Sequence, residues 1–375
     1  MNRFHKTLLG ATLLGLGLAI SATAAPAAPP IWAAGLDNGL QVGAADDSWF
    51  FQSQLVVQTR FAAAQKPGSQ ALQDGFLVRM VRPQLRGHLV QKWIKWFVQP
   101  ELAGTTPRLL DLEVTAQPWP GLGVKVGQFV TPFSRAFLTP VPRLQFPDFS
   151  IANDKFRADR DTGLQLQGDL GRGLLGWQLG VFNGNGIDKG GNDDNRLAAV
   201  GRIAVQPLGP MELDEVPELA ADLPLRLSVG LSGWRGELPH LLAPVGAAAP
   251  VQQGFDQATT LCADAMLAQG AWHLQIQGYG RTTDPASGKA VSSGGADAQA
   301  GLLLLQRKLE VGARVAAVVP DLAAQDRSLV VEGQLVGYAW GHHAKAWLRG
   351  AWQQDHSAAG DKNGWSITLQ QQVHL

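Results

Sequence analysis

The chain has 375 residues, with 31 Lys+Arg against 31 Asp+Glu, charged residues at only 17%, 44 glycines and one cysteine. Balanced charge excludes the basic excess that a nucleic-acid-binding face needs. A lone Cys262 excludes an internal disulfide. Beyond the N-terminus no apolar run reaches about 18 residues, which argues against spanning helices.

Asn2, Arg3 and Lys6 open the chain, an apolar run follows from Leu8 to Ile20, and Ala22-Thr23-Ala24 offers small residues for cleavage. Residues 1–24 therefore read as a secretory signal peptide. The run is too short for the roughly 20 residues of a span. Without Arg3 and Lys6 the balance is 29 to 31, a net of −2. Residues 25–48 carry an Ala/Pro tail to Pro30 and the turn signal Asp37-Asn38-Gly39, and are placed as a periplasmic segment ahead of a barrel over 49–375.

Sixteen short segments of alternating polarity follow: 49–60, 75–91, 92–102, 108–119, 121–131, 160–171, 174–183, 195–206, 223–235, 257–269, 271–282, 295–307, 309–319, 326–340, 342–354 and 364–375. Each is about the 9–11 residues a tilted strand needs to cross a bilayer, or somewhat longer. Tight turns at Pro118-Trp119-Pro120-Gly121, Gly171-Arg172-Gly173, Gly270, Lys308 and Gly341 alternate with long polar loops near 61–74, 132–159, 184–194, 236–256, 283–294 and 355–363. That rhythm belongs to outer-membrane barrels. The connection 207–222 breaks it, running long where a short turn is due. Either it is a periplasmic insertion or the strand count is off by two.

Alternation is plain in Gly163-Leu164-Gln165-Leu166-Gln167-Gly168-Asp169-Leu170 and in Trp272 to Gln277. In Ser366 to Val373 it is broken only at Gln371. It puts Leu164, Leu166, Leu170, Ile367, Leu369 and Val373 outward, with Gln165, Gln167, Asp169, Thr368 and Gln370 inward. Trp93, Trp119, Trp177, Trp234, Trp272, Trp340, Trp352 and Trp365 fall at or near segment ends, as a membrane-boundary girdle would. In a bilayer every backbone polar group must pair internally, which leaves a closed sheet. The expected fold is all-β: a closed antiparallel transmembrane β-barrel of about 16 strands, with an inward-folded loop after the fifth.

Three stretches resemble, in order, motifs of the phosphate-selective porin family of outer-membrane channels. They are Val124 to Phe133 (a Gly-x-Phe-x-x-Pro-Phe strand end), Arg160-Asp161-Thr162-Gly163, and Leu179-Gly180-Val181-Phe182-Asn183-Gly184, with Val200-Gly201-Arg202-Ile203 continuing. The likeness spans roughly Leu36 to Leu375. It implies a 16-stranded barrel, commonly trimeric, with a loop folded into the lumen. The family's phosphate-binding arginine ladder has no residue-by-residue match here. The chain ends Val373-His374-Leu375, where such barrels usually end in an aromatic residue.

Inward parity makes Arg82, Arg86, Lys95, Lys125, Arg202, Arg226, Arg314, Lys345 and Arg349 candidate lumen residues. Glu101, Asp111, Glu113, Asp161, Asp169, Asp264, Glu310 and Glu332 oppose them. The loop 132–159, stiffened by Pro132, Pro140, Pro142 and Pro147, carries Arg135, Arg143, Lys155 and Arg157, with Arg160 adjoining. Folded inward, these would form a basic constriction that favours anions. The eight histidines are scattered, and no spaced metal cluster or nucleophile motif is present. The expected protein is a porin, not an enzyme, without cofactor. It would sit in outer-membrane lipid as a homotrimer and pass small hydrophilic or anionic solutes. A plugged surface-binding or adhesive barrel, or a barrel hydrolase assembled from separate strands, stays open as an alternative.

Overall fold

Sixteen antiparallel strands run in chain order and close on themselves. The computed structural model describes residues 31–35, 38–187, 189, 191, 192, 195–219, 222–242, 251–285, 288–324 and 326–375. The expected signal peptide, residues 1–24, lies outside them. A hairpin of β1 (Ile31–Gly35) and β2 (Gly39–Gly43) precedes the barrel. The first half of the barrel is β3 (Trp49–Gln65), β4 (Leu72–Leu89), β5 (Ile94–Glu101), β6 (Arg108–Trp119), β7 (Leu122–Val130), β8 (Arg160–Leu170), β9 (Leu175–Phe182) and β10 (Ala198–Val205). The second half is β11 (Arg226–Leu242), β12 (Val251–Gln269), β13 (Trp272–Asp284), β14 (Val291–Leu304), β15 (Leu309–Val319), β16 (Arg327–Trp340), β17 (Ala344–Ser357) and β18 (Gly360–His374).

Closure pairs β18 with β3 from Trp365 opposite Gln65 to His374 opposite Val56. Leu375 then exchanges both backbone hydrogen bonds with Leu55 at 3.0 Å. Below that point β2 covers β3, with Leu40 opposite Ser53. No barrel edge is left to recruit another chain.

The polarity is inverted relative to a water-soluble sheet. Leu369 is 54% exposed while its neighbour Gln370 is 1% exposed, and Leu164 and Leu166 flank a buried Gln165 in the same way. Outward leucine suits lipid, and inward glutamine finds partners in the lumen. Several strands run past their expected ends, β3 to Gln65 and β11 to Leu242, because ladder pairing continues where the lipid-facing pattern fades. Turns at one end are tight, and Gly270 and Gly341 take φ of +60° and +50°, a region glycine enters freely.

Six of the eight girdle tryptophans (Trp93, Trp119, Trp272, Trp340, Trp352 and Trp365) are exposed. Trp234 is not part of that belt. It sits mid-strand in β11, on the inward parity of Ser228 and Ser232, and is buried against Phe182, Ala198 and Cys262.

Candidate pore and its inward loop

The three motif segments meet where the long loop leaves the wall. Gly127 has φ +127°, and a Cβ there would lie 2.0 Å from the Leu112 carbonyl. Phe129 and Phe182 pack edge to face at 5.4 Å, both buried with Phe133. The Asp161 carboxylate accepts from the Gly184 N–H at 2.6 Å and the Thr162 N–H at 2.7 Å. Arg160 donates to Asp111 at 2.9 Å. The motif glycines and aromatics thus fix the direction in which the loop departs.

Residues 131–159 turn into the barrel. Ser134 caps the short helix α1 (Arg135–Leu138), and Ser150 caps α2 (Ile151–Phe156). The loop then binds the far wall. Arg202 donates to the Phe133 carbonyl at 2.8 Å and forks the Asp264 carboxylate at 2.5 and 2.9 Å. Ser150 donates to Asp297 at 2.7 Å, and Arg314 to the Asp148 carbonyl at 2.9 Å. Gln145, fully buried, is the densest anchor. Its amide donates to Glu310 at 2.6 Å, while its carbonyl accepts from Gln334 at 2.9 Å and Trp347 at 2.7 Å. Asp148 reaches back to β3 and β4, accepting from Arg60 at 2.8 Å and Arg79 at 3.3 Å. Burial alone would raise the Asp148 carboxyl, but the Arg60 hydrogen bond and charge, with Arg79 behind, outweigh it and hold it below its ordinary value.

The long connection between β10 and β11 is an insertion at the end of the barrel where the other turns are tight, and the strand count stands at sixteen. It folds back into the lumen, where Val216 packs on Leu303, Val336, Tyr338 and Trp347. Glu215 accepts from the Gln145 N–H at 2.8 Å, and Glu218 pairs with His273. Arg135 donates to the Glu212 carbonyl at 2.7 Å. Burial lowers the Arg135 guanidinium to about 10, so it stays charged at neutral pH. Loop and insertion together fill the side of the lumen lined by β10–β18.

The other side is open. A cavity of about 1110 Å³ runs along it. Every strand residue lining it lies on β3–β9, from Arg108 and Arg160 at one set of strand ends to His88 and Gln117 near the other. Facing them is the loop, Phe137 to Asp159, with Leu213 of the insertion. Eight Lys or Arg residues line the cavity against five Asp or Glu. Some of the charge is tied up: Arg82 pairs with Glu101 at 2.7 Å and Lys125 with Glu113 at 3.0 Å. Arg157 pairs with Asp154 and lies 4.5 Å over the Phe137 ring. Among the described residues Arg86, Lys95 and Arg108 have no carboxylate partner. Arg86 is held instead by the Gln54 and Gln84 amide oxygens at 2.9 and 2.8 Å.

Of the expected lumen residues, the structure brings Arg82, Arg86, Lys95 and Lys125 to the cavity. Arg202, Arg314 and Lys345 lie buried under the loop, and Arg349 shares Glu332 with Arg314. Arg226 donates to the Leu208 carbonyl at the rim. Of the loop residues, Arg157 and Arg160 line the cavity. Arg135 is an anchor, Arg143 pairs with Glu212 at 2.5 Å, and Lys155 is exposed outside the cavity lining.

Arg79 and Arg108 line the channel without having been found by parity. Both lie at bulges. Gln58 pairs with Met80 and Thr59 with Val78, so Arg79 opposes no residue. Gln99 pairs with Asp111 and Pro100 with Leu109, so Leu110 is the extra residue, and Arg108 beyond it takes the inward parity. An inserted residue flips the alternation beyond it.

No protein-family model matches this sequence, and no curated protein matches it. Solved structures share its architecture. OmpT of Vibrio cholerae in its trimer form superposes with a TM-score of 0.61 at 9% identity, over 88% of this chain and 100% of that one. The anion-selective porin from Comamonas acidovorans gives 0.60 at 12% identity, over 87% and 100%. The outer membrane channel DcaP of Acinetobacter baumannii gives 0.60 at 9%, over 88% and 98%. At such identity the likeness shows the fold: a closed 16-stranded barrel of the kind outer-membrane porins use.

Proposed function

We propose that this chain is an outer-membrane porin that lets small hydrophilic solutes diffuse passively, with a modest preference for anions. One observation carries the reading: a cavity lined by eight Lys or Arg and five Asp or Glu residues extends between the two ends of β3–β9. Low-dielectric walls focus such a field, and basic rims favour anions. The motif likeness to phosphate-selective porins is a likeness of architecture in this reading. Its anion preference is a matter of net charge, and phosphate holds no privilege.

Residues 1–24 would export the chain, and the protein would assemble as a homotrimer in outer-membrane lipid. An outward polar pair supports the trimer: Gln371 on β18 donates to Thr59 on β3 at 2.9 Å, amid apolar neighbours. Polar groups facing outward from a barrel are better placed against a partner than against lipid.

The test is a planar-bilayer recording under a KCl gradient. The expected reversal potential is on the anion side and shrinks as salt rises, since the screening length falls from about 10 Å at 0.1 M to about 3 Å at 1 M. Absence of any conductance would favour the second reading, a plugged surface-binding barrel, which the filled β10–β18 side of the lumen already half resembles.

A further inference from the structure

We infer that the channel's preferred solutes are amphipathic organic anions, a carboxylate or similar head on a compact apolar body such as a ring. This deepens, and rests on, the porin reading above.

The two sides of the channel differ in chemistry. On the strand side, Arg86, Lys95 and Arg108 present charge that no carboxylate of the described residues neutralises. On the loop side, Leu138, Pro140, Val141, Pro142 and Phe149 line the same cavity, joined by Leu213 of the insertion.

Asp148, Asp154, Arg157 and Asp159 keep the loop polar toward its far end, but between Pro140 and Gln145 its carbonyls point the other way. The Pro142 carbonyl accepts from Gln372 at 3.2 Å, the Leu144 carbonyl from Lys345 at 2.9 Å, and the Gln145 carbonyl from Trp347 at 2.7 Å. Pro140, Pro142 and Pro147 have no N–H to offer. This stretch of the loop therefore spends its carbonyls on the β10–β18 wall and turns an apolar strip to the solute path. Leu213 is 37% exposed at that strip.

An inorganic anion would meet the cations and gain nothing from the facing strip. A neutral apolar solute would meet the strip and leave the cations unanswered. A solute with both parts uses both sides at once. Phe97 adds an apolar surface on the charged side, with the Arg86 guanidinium 5.5 Å over its ring.

The test compares benzoate with acetate, benzyl alcohol and inorganic phosphate as blockers of chloride current through the full-length protein in planar bilayers. Burying on the order of 50 Å² of ring surface corresponds to about tenfold in affinity. Benzoate should therefore block at about one tenth of the acetate concentration, with benzyl alcohol and phosphate weaker than benzoate. Leu138→Ser combined with Val141→Ser should bring the benzoate-to-acetate ratio toward one. Arg86→Gln with Lys95→Gln should weaken both anions together. Equal block by benzoate and acetate overturns the inference while leaving the porin reading intact, and so does a ratio unmoved by the loop variant. Absence of chloride current sinks the porin reading instead. Calorimetric titration of the purified protein with benzoate and acetate then decides the amphipathic site separately, and equal or absent heats overturn it.

Discussion

Replacing Arg202 with Met tests whether the β10–β18 side of the lumen is filled rather than wet. The Arg202 and Asp264 side chains are 5% and 0% exposed, and the guanidinium holds both carboxylate oxygens and the Phe133 carbonyl. Arg202→Met leaves Asp264 as a buried, uncompensated charge, which costs about 3–5 kcal/mol. Asp264→Leu strands the guanidinium and should cost a similar amount. The double variant removes both charges, and the Phe133 carbonyl keeps its bond from Ser232 at 2.6 Å. It should therefore cost about 1–2 kcal/mol, for a coupling on the order of 3 kcal/mol or more in a double-mutant cycle. Urea unfolding of each variant from phospholipid vesicles, followed by tryptophan fluorescence, measures the three values. If Arg202→Met costs under about 1 kcal/mol and the two changes simply add, water reaches Asp264 and the dry, loop-filled side described above is wrong.

Lysine at outward Leu166 or Leu369 should cost about 2–4 kcal/mol near the membrane middle, and lysine at inward Gln167 much less; equal costs in the same unfolding assay would reverse the parity. Gln145→Ala removes two donated bonds at the loop's main anchor, to Glu310 at 2.6 Å and to the Ala300 carbonyl at 2.9 Å. Larger and noisier single-channel currents should result, and an unchanged trace would mean that the anchor does not restrain the loop. Asp148, its carboxyl held below the ordinary value, keeps its clamp on Arg60 and Arg79 above about pH 4 and loses it as pH falls through the depressed folded value. The Asp148 clamp should thus contribute no change in conductance between about pH 8 and 5 and act only in stronger acid, so an Asp148→Asn variant that keeps the whole acid-side change would refute its role. Leu375→Phe should leave folding intact, because the Leu55–Leu375 closure uses backbone atoms only; loss of assembly on a gel-shift assay would contradict that.

The wall was legible because its physics is local. Each strand alternates between lipid and lumen, and Gln165 between Leu164 and Leu166 says so without any tertiary knowledge. Closure of β18 on β3 follows from the need to pair every backbone group. The root of the loop was legible through its motifs, since Gly127, Phe129, Asp161 and Phe182 act within one small cluster. Trp234 misled because the sequence hides how far β11 runs. A mid-strand tryptophan on the inward parity packs the loop root and never reaches the membrane boundary.

The lumen was less legible, for a physical reason that bears on function. Parity says which charges face inward but not which of them the interior covers. Arg202, Arg314 and Lys345 share the inward parity of Arg82, Arg86 and Lys125, yet the first three are consumed by loop carbonyls, partners tens to hundreds of residues away in sequence, with the Asp264 and Glu332 carboxylates on nearby strands holding the two arginines. The insertion 207–222 decides that division. By meeting the loop at Gln145 and Arg135, it holds the loop against β10–β18 and leaves β3–β9 bare. Arg79 and Arg108 then reach the channel through bulges, where one extra residue inverts the alternation. The charge balance of the whole chain is therefore a poor guide to the pore. A molecule with equal numbers of acidic and basic residues has a cavity with more basic than acidic lining: pairs such as Arg82–Glu101 cancel there, while among the described residues Arg86, Lys95 and Arg108 have no carboxylate partner.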